Sequence, residues 1–123
     1  MSVTCCEVIA ALEGLRLSPA LDEYALHEAI AQAFSQSGVP HIHESPLAPH
    51  CRIDFLCGHV GVEVKRGRPL RSSLLRQLER YCACEQISSL VVVVERSVNL
   101  PRSCRGKPVR VLSLNRLWGV SLP

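Results

Sequence analysis

At 123 residues, 47% apolar and 20% charged, the chain is too hydrophobic for a disordered segment and has about the length of one ordinary domain. Its net charge is only +3, yet residues 1–63 hold two basic and eight acidic side chains (2 − 8 = −6) while residues 64–123 hold twelve and three (12 − 3 = +9). No run reaches the roughly 18 apolar residues of a membrane helix, so no membrane partner is expected, and the charge asymmetry points to a polyanion approached by one face.

The seven cysteines are an odd number, and the opening MSVTCCEVIA has no charged n-region, continuous apolar stretch or cleavage site. No secretory leader is therefore expected, and the thiols read as free in a reducing cytoplasm. With no repeat or composition break, we expect one α/β domain spanning 1–123. Its core runs over about 21–114, behind an N-terminal extension at 1–20 with little readable periodicity.

From Leu21 to Ser37, Leu26, Ala29, Ile30, Ala33 and Phe34 recur at helical spacing between Ser18-Pro19 and Gly38, which predicts a helix with one inward stripe. Val39 to Glu44 and Cys51 to Cys57 read as short strands separated by a proline-containing loop, Ser45 to His50. Val60 to Lys65 follows after only Gly58-His59, a pair that suits a type II′ hairpin turn. A second helix fits Leu70 to Glu85, with Leu74, Leu75, Leu78 and Cys82 on one side and Arg71, Arg76 and Arg80 available for solvent or a ligand. Ser89 to Glu95 and Val109 to Leu114 are strands, the second after a loop carrying Pro101 and Pro108. The expected order is αβββαββ, a mixed sheet flanked by helices.

With Gly58-His59 as the loop, Cys57 faces Val60, and counting inward places Asp54 opposite Glu63. Directly opposed side chains have Cβ atoms about 4.5–5.5 Å apart, a costly distance for two carboxylates. The period of two puts Lys65 on the same face as Glu63 and turns Ile53, Phe55, Val62 and Val64 to the other. Three charges therefore converge on one patch, and a hard divalent cation takes oxygen ligands of this kind. An exposed hairpin whose charges are held by Lys65 is the alternative reading of the same residues.

Asp54 followed by Glu63-Val64-Lys65, on a hairpin between two helices, resembles the active site of the PD-(D/E)XK nuclease superfamily, with its restriction-endonuclease-like fold. Gln77 and Tyr81, one turn apart on the following helix, are similar to the Q-x-x-x-Y element of RecB-like and related phage nucleases. The resemblance covers about residues 21–114 and is to small stand-alone phage or prophage nucleases. Ile53 stands where the motif's name has proline.

The resemblance implies that Asp54 and Glu63 hold Mg²⁺ or Mn²⁺, with the main-chain carbonyl of Val64, and that Lys65 positions or helps deprotonate the attacking water. Family members often add a glutamate from the first helix. Glu23 lies on the edge of the inward stripe and is preferred to Glu28, which falls nearly opposite it; Glu44 is the other candidate auxiliary ligand or substrate contact.

The activity implied is metal-dependent hydrolysis of DNA phosphodiester bonds. Between Lys65 and Arg80 lie six basic residues and one acid, so Arg66, Arg68, Arg71, Arg76 and Arg80 form a landing site for backbone phosphates. Arg96, Arg102, Arg105, Lys107, Arg110 and Arg116 extend that footprint. Apart from Tyr81, no aromatic is interleaved with basic residues as a base-stacking platform, so recognition of backbone, ends or branched shape is expected rather than of base edges. His41 and His43 read as edge-strand histidines with substrate contact as the alternative, and the cysteines lack zinc or cluster spacing. A second copy of the chain is a candidate partner, because so small a chain has little surface for clamping DNA alone. The reading from another class is a catalytically silent nucleic-acid-binding or assembly module that keeps the fold.

Overall fold

The computed structural model describes residues 2–15 and 22–114. Their elements are α1 (Cys5–Glu13), α2 (Glu23–Gln36), β1 (Ile42–Ala48), β2 (Cys51–Cys57), β3 (Val60–Lys65), α3 (Arg71–Cys82), β4 (Ser89–Val94), β5 (Ser103–Cys104) and β6 (Lys107–Ser113). They form an α/β arrangement: one mixed sheet in the order β1-β2-β3-β4-β6-β5, with three helices.

The element order is ααβββαβββ rather than αβββαββ. The first added element, α1, begins at a capping box: the Thr4 hydroxyl accepts from the Glu7 N–H while the Glu7 carboxylate accepts from the Thr4 N–H. Its Val8, Ala11 and Leu12 are buried, so residues 5–13 belong to the core rather than to an extension. The second is β5, joined to β6 by Arg105-Gly106, both at positive φ (51° and 78°) as a type I′ turn requires. Pro108 consequently lies inside β6 rather than in a loop before it.

α2 is capped by the Asp22 side chain, which accepts from the Ala25 N–H at 2.8 Å. The expected start signals Ser18-Pro19 and Leu21 lie outside the described residues. Leu26, Ile30, Ala33 and Phe34 are buried as expected, and His27 joins them.

The first strand differs most from its expected form. It starts at Ile42 and runs through Pro46 to Ala48, so Ser45 to His50 is not a loop and only Pro49-His50 turns the chain. A proline is tolerated because β1 is the sheet edge, and the register slips between Pro46 and Ala48. Glu44 sits within this strand at φ 52°, a left-handed conformation that non-glycine residues rarely take.

The β2–β3 turn follows the expectation: Gly58 is at φ 61°, His59 is not in the positive region, and Cys57 pairs with Val60. β3 and β4 are parallel, an arrangement that needs the crossover α3 provides. Both faces of β4 are covered. Val91 and Val93 join α1, α2, Phe55, Val62 and Val64 on one side, while Leu90, Val92 and Val94 join α3, Ile53 and Ile87 on the other. A strand buried on two faces reads as the unbroken apolar run seen here. Gly61 is part of this packing: a Cβ there would lie 2.6 Å from Ile53 Cδ1 and 2.8 Å from Ile87 Cδ1. Ile53 thus sits in the α3 layer, not with Phe55 as a period of two would have it; the β2–β3 ladder ends between them, at Phe55. Among the described residues no helix is long and apolar enough to cross a membrane.

Candidate active site at the end of the β2–β3 ladder

The β2–β3 ladder stops at Phe55↔Val62. At the next rung carboxylates take the place of backbone acceptors. The Asp54 N–H donates to Glu63 Oε1 at 3.2 Å, and the Val64 N–H donates to Asp54 Oδ2 at 2.8 Å. These bonds bring Asp54 beside Glu63, although no Asp54–Glu63 pair continues the ladder, and the two side chains interlock with each other's strands. Lys65 Nζ lies 3.2 Å from Glu63 Oε2.

Glu63 is only 4% exposed. Burial, reinforced by the Asp54 charge, pushes its carboxyl up to about 7 even though Lys65, the Asp54 N–H and the Tyr81 hydroxyl all favour the ionised form. Desolvation wins over three stabilising partners, so this acid is held in a state that an additional positive charge would relieve.

Around this pair opens a cleft of about 440 Å³ lined by Glu23, Tyr24 and His27 from α2, His43 and Glu44 from β1, Arg52 and Asp54 from β2, Glu63 from β3, and Gln77 from α3. The sheet end thus gathers residues from both helical layers. Glu23 and Glu44 both reach the cleft, whereas Glu28 is exposed elsewhere on α2. The left-handed turn of Glu44 brings its carboxylate 3.5 Å from Arg52 Nη1 and 3.9 Å from His43 Nε2. Backbone strain of this kind costs on the order of 1–3 kcal/mol and concentrates at functional sites.

Gln77 lines the cleft, and Tyr81, one turn on, lies 1% exposed beneath it. The Tyr81 hydroxyl donates to the Arg52 carbonyl at 3.2 Å and approaches Glu63. Burial pushes that hydroxyl far up, so it remains a donor. Tyr81 is therefore a buried brace for β2 and Glu63, unable to stack on a base.

Two histidines complete the lining: His27, which was not expected there, and His43, read from the sequence as an edge-strand histidine with substrate contact as the alternative. His27 Nδ1 is 3.0 Å from His43 Nε2, and both rings pack against Phe55. His27 Nε2 is buried without a hydrogen-bond partner and faces Asp54 Oδ2 at 3.9 Å. On the helix, His27 reads as one more position of the inward stripe; its contacts with His43 on β1 and Asp54 on β2 distinguish it from core.

The expected phosphate-binding arginines stand outside the cleft. Arg66 Nε binds Glu95 Oε2 at 2.6 Å, an ion pair that holds the Glu95 carboxyl below the usual range. Arg71 Nε donates to the Asn99 carbonyl at 2.7 Å, and Arg76 reaches Ser73 Oγ at 3.5 Å. Arg68 and Arg80 are exposed and do not line the cleft, whereas Arg52 does. Arg116 lies outside the described residues.

Asp54 and Glu63 are hard oxygen donors whose mutual repulsion a dication would offset. Among the described residues no group of three or more His, Cys, Asp and Glu side chains is arranged to hold a metal ion on its own. Ligation of Mg²⁺ or Mn²⁺ would rest on the two carboxylates, the Val64 carbonyl and oxygens of water or phosphate, a coordination that Mg²⁺ commonly accepts. No protein family, curated protein or solved structure matches this chain.

Proposed function

We propose that the chain is a metal-dependent nuclease hydrolysing DNA phosphodiester bonds on a restriction-endonuclease-like scaffold. The observation that carries this reading is the interlocked Asp54–Glu63 pair, with Glu63 buried and pushed up to about 7 and Lys65 Nζ at 3.2 Å. Two carboxylates able to hold a dication, with a lysine beside them at an open cleft, are groups that metal-assisted phosphodiester hydrolysis can use.

Asp54 and Glu63 would hold Mg²⁺ or Mn²⁺, with the Val64 carbonyl and with Glu23 or Glu44 as auxiliary contacts. When bound, such an ion supplies Lewis acidity at the scissile phosphate. Lys65, which does not line the cleft itself but pairs with Glu63, would orient a water for attack and stabilise charge growing on the phosphate oxygens. Gln77 contributes a neutral hydrogen-bonding group to the cleft wall, while Tyr81 keeps Glu63 and the start of β2 in place. His27 backs Asp54 and limits where its carboxylate can turn. The exposed Arg68 and Arg80, outside the cleft lining, would make sequence-independent backbone contact.

A second reading, a silent nucleic-acid-binding or assembly module, is favoured by one observation. Asp54 and Glu63 already serve the fold, each accepting a backbone N–H where the ladder ends. Titration of Mn²⁺ into wild type and Glu63→Ala by calorimetry separates the two. The nuclease reading expects binding in the wild type that the substitution abolishes; no binding to either protein leaves the module.

A further inference from the structure

Of the aromatic rings among the described residues, Phe34, Phe55 and Tyr81 are at most 1% exposed, whereas Tyr24 is 75% exposed. Among the described residues it is the most exposed of the large hydrophobic side chains, and it lines the cleft that contains Asp54 and Glu63. Its place follows from α2: Asp22 caps the helix, Leu26, His27 and Ile30 turn inward, and position 24 is left at the mouth beside Glu23. Nothing in the fold requires a ring there. Arg52, 65% exposed at its side chain, lines the same cleft.

We infer that Tyr24 is a stacking platform for an unpaired nucleobase, and that the substrate enters the cleft as single-stranded DNA or a frayed end. This rests on the proposed nuclease function and specifies its substrate. The π-face of a base inside a duplex is covered by its neighbours, so only an unpaired or terminal base can lie on an exposed ring. Stacking is indifferent to base identity, since every base has such a face. An aromatic rim, an arginine lining the cleft and carboxylates within would place the base outside and its phosphodiester at Asp54 and Glu63.

The test is binding of a single-stranded DNA 12-mer carrying one 2-aminopurine, and of the same sequence within a duplex closed by a hairpin at each end so that no terminal base is exposed, to wild type, Tyr24→Ala, Tyr24→Phe and Tyr24→Trp, in EDTA and again in Ca²⁺. Because Tyr24 is exposed, the variants should fold normally, which circular dichroism verifies. Tyr24→Ala is expected to weaken single-strand binding by about 5- to 100-fold. The same substitution should remove the 2-aminopurine quench and leave duplex binding unchanged, while Phe and Trp retain both affinity and quench. Equal single-strand affinity in wild type and Tyr24→Ala, or no single-strand binding by the wild type, overturns the inference. Cutting in Mn²⁺, lost in Glu63→Ala, is read separately on both DNAs. Cutting without Tyr24 dependence sinks the stacking platform alone, whereas Tyr24-dependent binding without cutting sustains the platform and sinks the nuclease.

Discussion

Asp54 and Glu63 each accept a backbone N–H where the β2–β3 ladder ends: Glu63 Oε1 takes that of Asp54 at 3.2 Å, and Asp54 Oδ2 takes that of Val64 at 2.8 Å. The same two carboxylates that repel one another therefore substitute for strand pairing. The metal-binding role proposed for them would be superimposed on this structural one, and that overlap would govern how the site responds to pH, metal and mutation.

Glu63 binds its proton more tightly in the folded chain, at about 7 against an ordinary 4.5. The stability this contributes is complete below about 4.5 and is lost as pH rises through about 7. Glu63→Gln, which keeps shape and neutrality, should therefore have the higher melting temperature at pH 8 and little advantage at pH 4. A wild type that is the more stable at pH 8 contradicts this.

Mn²⁺ should act in the opposite sense. At a concentration one hundred times its Kd, a ligand of the folded state adds about 2.7 kcal/mol. Thermal melts at pH 8 should show wild type rising with added Mn²⁺ and Glu63→Gln unmoved; an equal rise in both would place the ion elsewhere.

Tyr81→Phe removes the hydroxyl that donates to the Arg52 carbonyl and lies near Glu63. The ring stays packed, so the cost is that of a buried acceptor left without its donor, about 1–3 kcal/mol. Urea unfolding should show a lower midpoint with an unchanged slope, and cutting should fall because Glu63 loses its brace.

Gly61→Ala introduces a methyl group within 2.6–2.9 Å of Ile53, Ile87 and Leu90 side chains. Overpacking of this kind costs about 1–3 kcal/mol. The loss should appear in denaturant midpoint at every pH and independently of metal, which distinguishes it from Glu63 effects.

The turn chemistry of Gly58-His59 made the Cys57–Val60 pairing legible, and the unbroken valines of β4 announced a buried strand. Other features were hidden for physical reasons. Pro46 signals a loop in sequence, yet an edge strand has a side on which a missing N–H costs nothing. The hairpin at Arg105-Gly106 lacks the Asn or Asp that usually marks a type I′ turn. α1 was open to detection, since Thr4 and Glu7 have capping-box spacing, but its buried set of three residues is short for a periodicity argument. His27 and Tyr24 differ again. One occupies a core-like helical position and the other a polar first turn, and each acquires meaning only when β1 and β2 are folded against α2.

Cleavage of a labelled DNA panel, comprising single strand, duplex, nicked duplex and four-way junction, by wild type and Glu63→Ala in Mg²⁺, Mn²⁺ or EDTA tests the central claim most directly. Metal-dependent cutting by the wild type, absent in EDTA and in Glu63→Ala, is the predicted result. Intact DNA in every lane with purified, folded protein would contradict it.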